Sequence, residues 1–208
     1  CINIAIKRNQ YVMLVNNWFA RNLSSLKTLV RIIFGIFWAI DGALKFDPGF
    51  VNTFPNLIKD VASGQPSWLA GWFSFWASTT SMNPAFYVYS SGLLEVALAF
   101  CLIFDFMRKL SYTVSLFLSL VIWSVPEGFG GPYGPSSSDI GTGIVYALVS
   151  LMLLLINATF GPSRHSLDFF IEKKWPWWKK IAEIKSSQSK YTLVPLPIFI
   201  LQEIYYWS

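Results

Sequence analysis

The sequence predicts an all-α membrane protein built as a bundle of four membrane-spanning helices. Of its 208 residues, 54% are hydrophobic and only 13% are charged, whereas a soluble domain carries about 25% charged residues. The mean hydropathy is +0.47. Because apolar runs fill most of the chain, one membrane domain accounts for its length better than two soluble domains.

Four apolar segments are close to the length of about 20 residues that a helix needs to cross a bilayer. The third segment is short and stops at Pro126, which favours a helix end there. The fourth segment contains no charged residue. The predicted spans cover about residues 25–46, 84–104, 110–125 and 140–160.

The long segment between the first two spans predicts an interfacial helix. It carries three tryptophans spaced four residues apart, which places them on one helical face: Trp68, Trp72 and Trp76. Its apolar part is only about a dozen residues long, which is too short to cross a bilayer. We therefore expect an interfacial or re-entrant helix in the outer loop that joins spans one and two.

The distribution of basic residues predicts the orientation. Thirteen of the 16 Lys and Arg residues lie before or at the very start of the first span, between the second and third, or after the fourth. The positive-inside rule then places both termini in the cytoplasm, which requires the even number of spans found by hydropathy. The protein is thus predicted to lie in the cell membrane. Its predicted organisation is a cytoplasmic N-terminal segment 1–24, a membrane domain 25–162 and a cytoplasmic tail 163–208.

The tail mixes lysines with three tryptophans: Trp175, Trp177 and Trp178. This composition is typical of a helix that lies on an anionic leaflet, so we expect a basic C-terminal interfacial helix that contacts membrane lipid. The positive charge of the chain is then explained by the membrane, and we expect no nucleic-acid partner. The role of residues 191–208 stays open.

Four ionisable residues inside the predicted spans are the first candidate site: Arg31, Asp41, Lys45 and Glu95. Charged groups within a bilayer are costly, and they usually face the bundle interior and pair with one another. At about 100° per residue, the three on the first helix fall in one sector. We expect Glu95, on the antiparallel second helix, to lie within reach of Arg31.

This polar sector has two interpretations. It forms either an ion pair that locks the bundle or a proton-accessible core beside a quinone or substrate pocket. Gly35 and Gly42 share the sector, which would allow close helix approach. With one histidine and two separated cysteines, we expect this chain to bind no metal or haem.

The glycine-rich loop between the third and fourth spans is the second candidate site. Its sequence, PEGFGGPYGPSSSDIGTG, favours an ordered, non-helical loop with exposed backbone N–H groups. Two spans begin on the same side of the membrane, so their positive dipole ends would help to bind an anion there. Alternatively, the glycines form a tight turn and Asp139 caps the fourth helix.

The run PEGFGGPYGPSSSDIGTGIVYALV closely resembles the DoxD small subunit of archaeal thiosulfate:quinone oxidoreductase, in the wider DoxX family. The resemblance covers about residues 26–180. The first two helices are also similar to the DoxX pattern, at Arg31, Gly35, Gly42, Lys45, Glu95 and Arg108.

This resemblance implies a subunit that acts with a DoxA-like partner. Together they would oxidise two thiosulfates to tetrathionate and pass two electrons to a membrane quinone, the electron acceptor of this respiratory chain. It also implies association with the subunits of a terminal haem-copper quinol oxidase. The expected catalytic residues are Arg31, Asp41, Lys45 and Glu95. The expected substrate-binding residues are Glu127, Gly130, Gly131, Tyr133 and Asp139.

Two other functions fit the sequence. A non-catalytic accessory subunit of a terminal haem-copper quinol oxidase complex would use the Trp-rich segment and the apolar end of the chain as contact surfaces. A small transporter is less favoured, because the spans show no inverted repeat or broken helix.

Overall fold

The computed structural model describes residue 22 and residues 25–131, 140–159 and 166–183, in which the regular structure is entirely helical. The predicted all-α class is confirmed. Helix α1 covers residues 25–44. The helices that follow are α2 Pro48–Ser63, α3 Ala70–Met82, α4 Pro84–Phe104, α5 Arg108–Ser124, α6 Thr142–Thr159, α7 Leu167–Lys174 and α8 Lys179–Ala182. Short 3₁₀ turns cover Ser67–Leu69, Gly128–Gly130 and Pro176–Trp178.

Helices α1, α4, α5 and α6 pack around one core. Their limits lie within two residues of the predicted spans, because Pro84 starts α4 and the chain leaves α5 just before Pro126. The buried core side chains come from all four helices: Phe34, Trp38, Ala99, Leu102, Tyr112 and Leu153.

Small residues bring these helices close together. A Cβ atom on Gly42 would lie 3.0 Å from the backbone oxygen of Gly92 in α4, and one on Gly35 would lie 3.2 Å from that of Ala99. The expectation that Gly35 and Gly42 allow close approach is confirmed. A Cβ on Gly143 of α6 would lie 2.8 Å from a backbone oxygen of α5.

The bundle buries polar side chains beside its apolar core, and its exterior is apolar. Helix α5 buries Ser111, Ser115 and Ser119, and the hydroxyl oxygens of Ser115 and Ser150 are 2.7 Å apart. Large apolar side chains point outward instead, including Leu44, Leu93, Phe117, Leu148 and Leu155. Exposed apolar surface of this extent is rare in a water-soluble domain.

Among the described helices, α4 is long and apolar enough to cross a membrane, with a mean hydropathy of 1.8 over its most apolar stretch. The apolar part of α6, Thr142–Ala158, is shorter. Helix α5 has 17 residues, whereas a helix needs about 20 residues to cross a bilayer. The four-span bundle therefore stays a prediction.

The Trp-rich segment forms two helices rather than the single interfacial helix predicted. Gly64 ends α2, and Pro66 precedes the 3₁₀ turn that leads into α3. Trp68 lies in that turn and is 79% exposed, whereas Trp72 and Trp76 lie on α3 and contact each other. All three tryptophans lie after this break, so the predicted helix of about a dozen residues corresponds to α3, and α2 is an additional helix.

The described part of the C-terminal tail packs against the bundle. Asp168 and Glu172 lie one turn apart on α7 and are buried against Arg108. Lys173 and Lys174 are exposed. The acidic face of α7 therefore contacts protein, and binding of the basic face to membrane lipid stays a prediction.

Candidate functional site

A cavity of about 280 Å³ lies between α1, α2, α4, α5 and α6. Its volume is at the lower end of the range of about 300–1,000 Å³ typical of small-molecule sites. The ionisable side chains in its wall are Asp41, Lys45, Glu95, Glu127 and Tyr146. The cavity thus joins three residues of the first predicted site with one residue of the second.

Apolar side chains complete the cavity wall. They come from the end of α1, from α2 and from α5: Leu44, Phe50 and Ile122. A wall with an apolar part and a few polar groups is suited to a flat molecule that has polar atoms at its edge.

Lys45 and Glu95 form an ion pair across α1 and α4, with 2.7 Å between Nζ and Oε2. Glu95 is completely buried, while the Lys45 side chain is 20% exposed. The second oxygen of Glu95, Oε1, is buried and accepts no hydrogen bond from the described residues. An unsatisfied buried acceptor is costly, so Oε1 has capacity for a further hydrogen bond in a side chain that lines the cavity.

Asp41 accepts a hydrogen bond from the hydroxyl of Tyr146 on α6, at 2.9 Å. The ring of Tyr146 packs edge-on against Phe34 and Trp38 of α1, with centroids 5.2 and 5.4 Å away. These contacts fix the position of the hydroxyl. The sequence analysis missed Tyr146, although a phenol one turn inside an apolar helix and next to a glycine-rich loop was a usable signal.

Glu127 lies at the end of the cavity formed by the glycine-rich loop. Its Oε2 accepts a hydrogen bond from the backbone N–H of Gly143, at 2.8 Å. This contact satisfies one of the free N–H groups at the start of α6 and places negative charge at the positive end of the helix. The predicted cap, Asp139, lies outside the described residues, as does Tyr133.

In the described part of the loop, the backbone N–H groups of Gly130 and Gly131 are used within a turn, and the predicted anion site stays a prediction. The N–H of Gly130 donates to the backbone oxygen of Glu127 at 2.8 Å, and that of Gly131 donates to Gly128 at 3.1 Å. Gly130 has a φ of 79°, which suits a tight turn. The turn itself uses the N–H groups that an anion would need.

Arg31 does not reach Glu95, so the predicted pairing is wrong. Its Nε lies 3.2 Å from Asp105 Oδ1, and its Nη1 donates to the backbone oxygens of Leu102 and Ile103. Arg31 and Lys45 are 14 residues apart, which is about 21 Å along a helix. In antiparallel packing, Arg31 therefore meets the end of α4, and Lys45 meets its middle.

A second buried ionic cluster lies at the Arg31 end of the bundle. Arg108 is fully buried, and its Nη2 lies 2.7 Å from Glu172 Oε1. Asp168 accepts hydrogen bonds from the backbone N–H groups of Met107 and Arg108 at 3.0 and 3.1 Å. Burial raises the pKa of Glu172, and the charge of Arg108 opposes this effect. The cluster fastens α7 to the turn between α4 and α5.

The cavity carries an excess of negative charge. Among the described residues of its wall, the carboxylates of Asp41, Glu95 and Glu127 outnumber the one ammonium group, that of Lys45. A dianion such as thiosulfate would be repelled, because charges of like sign interact strongly where water is excluded. The arrangement can instead hold a neutral molecule by hydrogen bonds and exchange protons with it.

Within the parts of the chain that the structure describes, no group of three or more His, Cys, Asp or Glu side chains is placed to hold a metal ion. Comparisons of the chain with protein-family models, with curated proteins and with solved structures found no match.

Proposed function

We propose that this chain is a multi-pass membrane protein in which α1, α4, α5 and α6 cross the bilayer. The apolar exterior of the bundle supports this, because Leu93, Phe117 and Leu148 are each more than half exposed. The buried ion pairs support it too, since charged groups within a bilayer face the interior. The distribution of Lys and Arg favours cytoplasmic termini.

The chain is further proposed to be the membrane subunit of a thiosulfate:quinone oxidoreductase, with the quinone head group bound in the cavity. The observation that carries this is the buried, unpartnered Oε1 of Glu95 beside Lys45. The apolar side chains of Leu44, Phe50 and Ile122 would contact the quinone ring, and Lys45 and Glu95 in the same wall would meet its oxygens. The link to thiosulfate rests on the resemblance to the DoxD family.

The overall reaction divides between two subunits. Two thiosulfates each lose one electron and join through a new S–S bond, giving tetrathionate. One quinone takes up these two electrons and two protons, giving quinol. Because the cavity is negatively charged, thiosulfate binds to the DoxA-like partner, and this chain provides the quinone site.

The residues of the cavity then handle protons. Glu95 exchanges a proton with a quinone oxygen, and Lys45 holds its carboxylate in place through Oε2. Tyr146 and Asp41 form a second hydrogen-bonded pair in the same wall. Glu127 lies at the loop end, where it connects the cavity to the start of α6.

The test is thiosulfate-dependent reduction of decylubiquinone by membranes that contain the chain and its partner subunit. Glu95→Gln keeps the shape of the side chain but removes its proton exchange, so we expect a rate loss of about 100-fold. Glu172→Gln is the matched control, since it alters a buried acid outside the cavity. Full activity in a folded Glu95→Gln protein would contradict the proposal.

A second candidate is an accessory subunit of a terminal haem-copper quinol oxidase. The exposed aromatic surface of α3 and the preceding turn favours it, because Trp68 is 79% and Phe75 is 58% exposed. Aromatic residues are enriched in protein interfaces. Copurification with an oxidase, together with unchanged thiosulfate oxidation when the chain is deleted, would select this function.

A further inference from the structure

The polar groups in the cavity wall supply more hydrogen-bond acceptors than donors. The Tyr146 hydroxyl donates to Asp41 and the Gly143 N–H donates to Glu127, so these two donors are occupied. Lys45, the one charged donor among the described residues of the wall, gives one of its three N–H groups to Glu95, and Thr142 adds a hydroxyl. Ionised carboxylates only accept hydrogen bonds, and each has two oxygens with several lone pairs. Acceptors therefore exceed donors in this cavity.

The deepest of these acceptors is Oε1 of Glu95. It belongs to a completely buried side chain and has no hydrogen-bond partner among the described residues. A molecule that brings an O–H group to this atom forms a charge-assisted hydrogen bond, which is among the strongest in proteins. A molecule that brings a carbonyl oxygen instead places two acceptors against each other.

We infer that the cavity binds the reduced form of its substrate, a quinol, more tightly than the oxidised form, a quinone. This inference rests on the proposed function, and it adds which redox form the site prefers. A quinol carries two O–H donors where a quinone carries two carbonyl acceptors. The rings are otherwise alike, so the difference in affinity comes from the oxygens and from Glu95.

This preference changes the chemistry of the bound pair. Tighter binding of the reduced form raises the reduction potential of the bound couple, by about 30 mV for each tenfold difference in dissociation constant. A bound quinone then accepts electrons more readily than a free one. The acceptor-rich cavity thus favours electron transfer from a reductant toward the quinone.

The experiment measures binding of decylubiquinol and decylubiquinone to the full chain in lipid nanodiscs, without oxygen. The dimethyl ether of decylubiquinol is the third probe, because it keeps the aromatic ring and lacks both O–H groups. We expect the quinol to bind about tenfold or more tightly than the other two, given the strength of hydrogen bonds to charged groups. Glu95→Gln should bring the ratio close to one, and the control Glu172→Gln should leave it unchanged.

The possible results separate this inference from the proposed function. Equal affinities for quinol and quinone, or tighter binding of the quinone, would overturn the redox preference and leave the quinone site in place. If none of the three probes binds, both proposals fail. The comparison of quinol with its dimethyl ether needs only the wild-type protein, so the test does not depend on the folding of a variant.

Discussion

At the scale of single residues, Glu95 and Lys45 form the most informative contact in the bundle. A buried carboxylate is stable only with a charged partner, because transfer of either charge alone from water costs several kcal/mol. Glu95 is completely buried and is paired with the ammonium group of Lys45. Its stability in the bundle therefore depends on this one lysine.

Lys45→Met should destabilise the protein by removing the partner of a buried charge. Breaking a fully buried pair costs about 3–5 kcal/mol. Because the Lys45 side chain is 20% exposed, we expect about 2–3 kcal/mol here. Denaturant unfolding in detergent measures the change.

The double variant Lys45→Met with Glu95→Gln provides the control. Once the carboxylate is neutral, loss of the ammonium group should cost much less, so the double variant should regain part of the lost stability. Equal losses in the single and double variants would show that Lys45 contributes through packing rather than through charge.

At the residue scale, the sequence predicted four of the ionisable residues that line the cavity, but it did not predict which residues pair with one another. Angular position on α1 correctly grouped Asp41 and Lys45 at one cavity, but it ignored the axial rise that separates Arg31 from them. Tyr146 was missed because charge was the search criterion and its helix has none. Contacts between helices depend on axial register, which a helical projection does not contain.

At the scale of the helices, close packing of α1 on α4 depends on glycine. A Cβ on Gly42 would approach Val96 Cγ2 to 2.9 Å and the Gly92 oxygen to 3.0 Å. Gly42→Ala should therefore cost about 1–3 kcal/mol through overpacking, less the gain of up to about 1 kcal/mol in helix propensity. Thermal unfolding in detergent tests this.

Gly71→Ala is the matched control for this change. Gly71 lies on α3, and a Cβ there would meet nothing within 4 Å. Because alanine favours helix by up to about 1 kcal/mol, we expect this variant to be as stable as the wild type or slightly more stable. If both variants changed stability alike, close contact between α1 and α4 would not be the cause.

Asp168 fastens α7 to the bundle, so Asp168→Ala should release that helix. The change removes an acceptor from two N–H groups at the start of α5 and one of the carboxylates around Arg108. Arg108 still has its ion pair with Glu172 in this variant. We therefore expect the free energy of unfolding to fall by about 3 kcal/mol, at the lower end of the range for breaking a buried pair. Faster hydrogen exchange in α7 would show the release.

The exposed Lys173, five residues further along the chain, provides the comparison. Lys173→Ala should change stability by less than about 0.5 kcal/mol, as is usual for surface positions. If Asp168→Ala left exchange in α7 as slow as Lys173→Ala does, the buried cluster would not be what holds this helix.

Helix limits were predictable because proline and the ends of apolar runs mark them directly in the sequence. The limits of α4 agree with the prediction at both ends. The Trp-rich segment was less predictable, since the tryptophan spacing marks only the helix that carries it and gives no signal for α2, which ends before Gly64. The acidic face of α7 was missed because the lysines around it dominated the charge of the tail.

At the scale of the whole molecule, the apolar exterior is the property that a membrane explains. Leu93 lies in the middle of α4 and is 66% exposed. In a bilayer, Leu93→Lys should cost about 2.5–3.5 kcal/mol, whereas a surface change in a soluble protein costs less than about 0.5 kcal/mol. Yield of inserted protein and unfolding in nanodiscs measure the cost.

Asn52→Lys is the matched control, because Asn52 is an exposed polar residue on α2, outside the proposed spans. It should insert and unfold like the wild type. A tolerated lysine at position 93, with the same yield as the control, would argue against a lipid-facing α4.

The whole fold was more predictable than the site, for a physical reason. Hydropathy shows which segments are apolar enough to be removed from water. Four such segments of similar length can pack together in only a few ways. The cavity depends instead on how five helices pack together. Its lining follows from the axial positions that bring Lys45, Glu95 and Glu127 to the same cavity. A single sequence contains no signal for these axial positions.

The most direct test of the central claim is a structure of the chain in lipid nanodiscs with decylubiquinol added. We predict head-group density in the cavity between α1, α2, α4, α5 and α6, with one oxygen within hydrogen-bond distance of Glu95 Oε1 and the ring beside Phe50. Density at another place, such as the Arg31–Asp105 end of the bundle, or an empty cavity at saturating quinol, would contradict it.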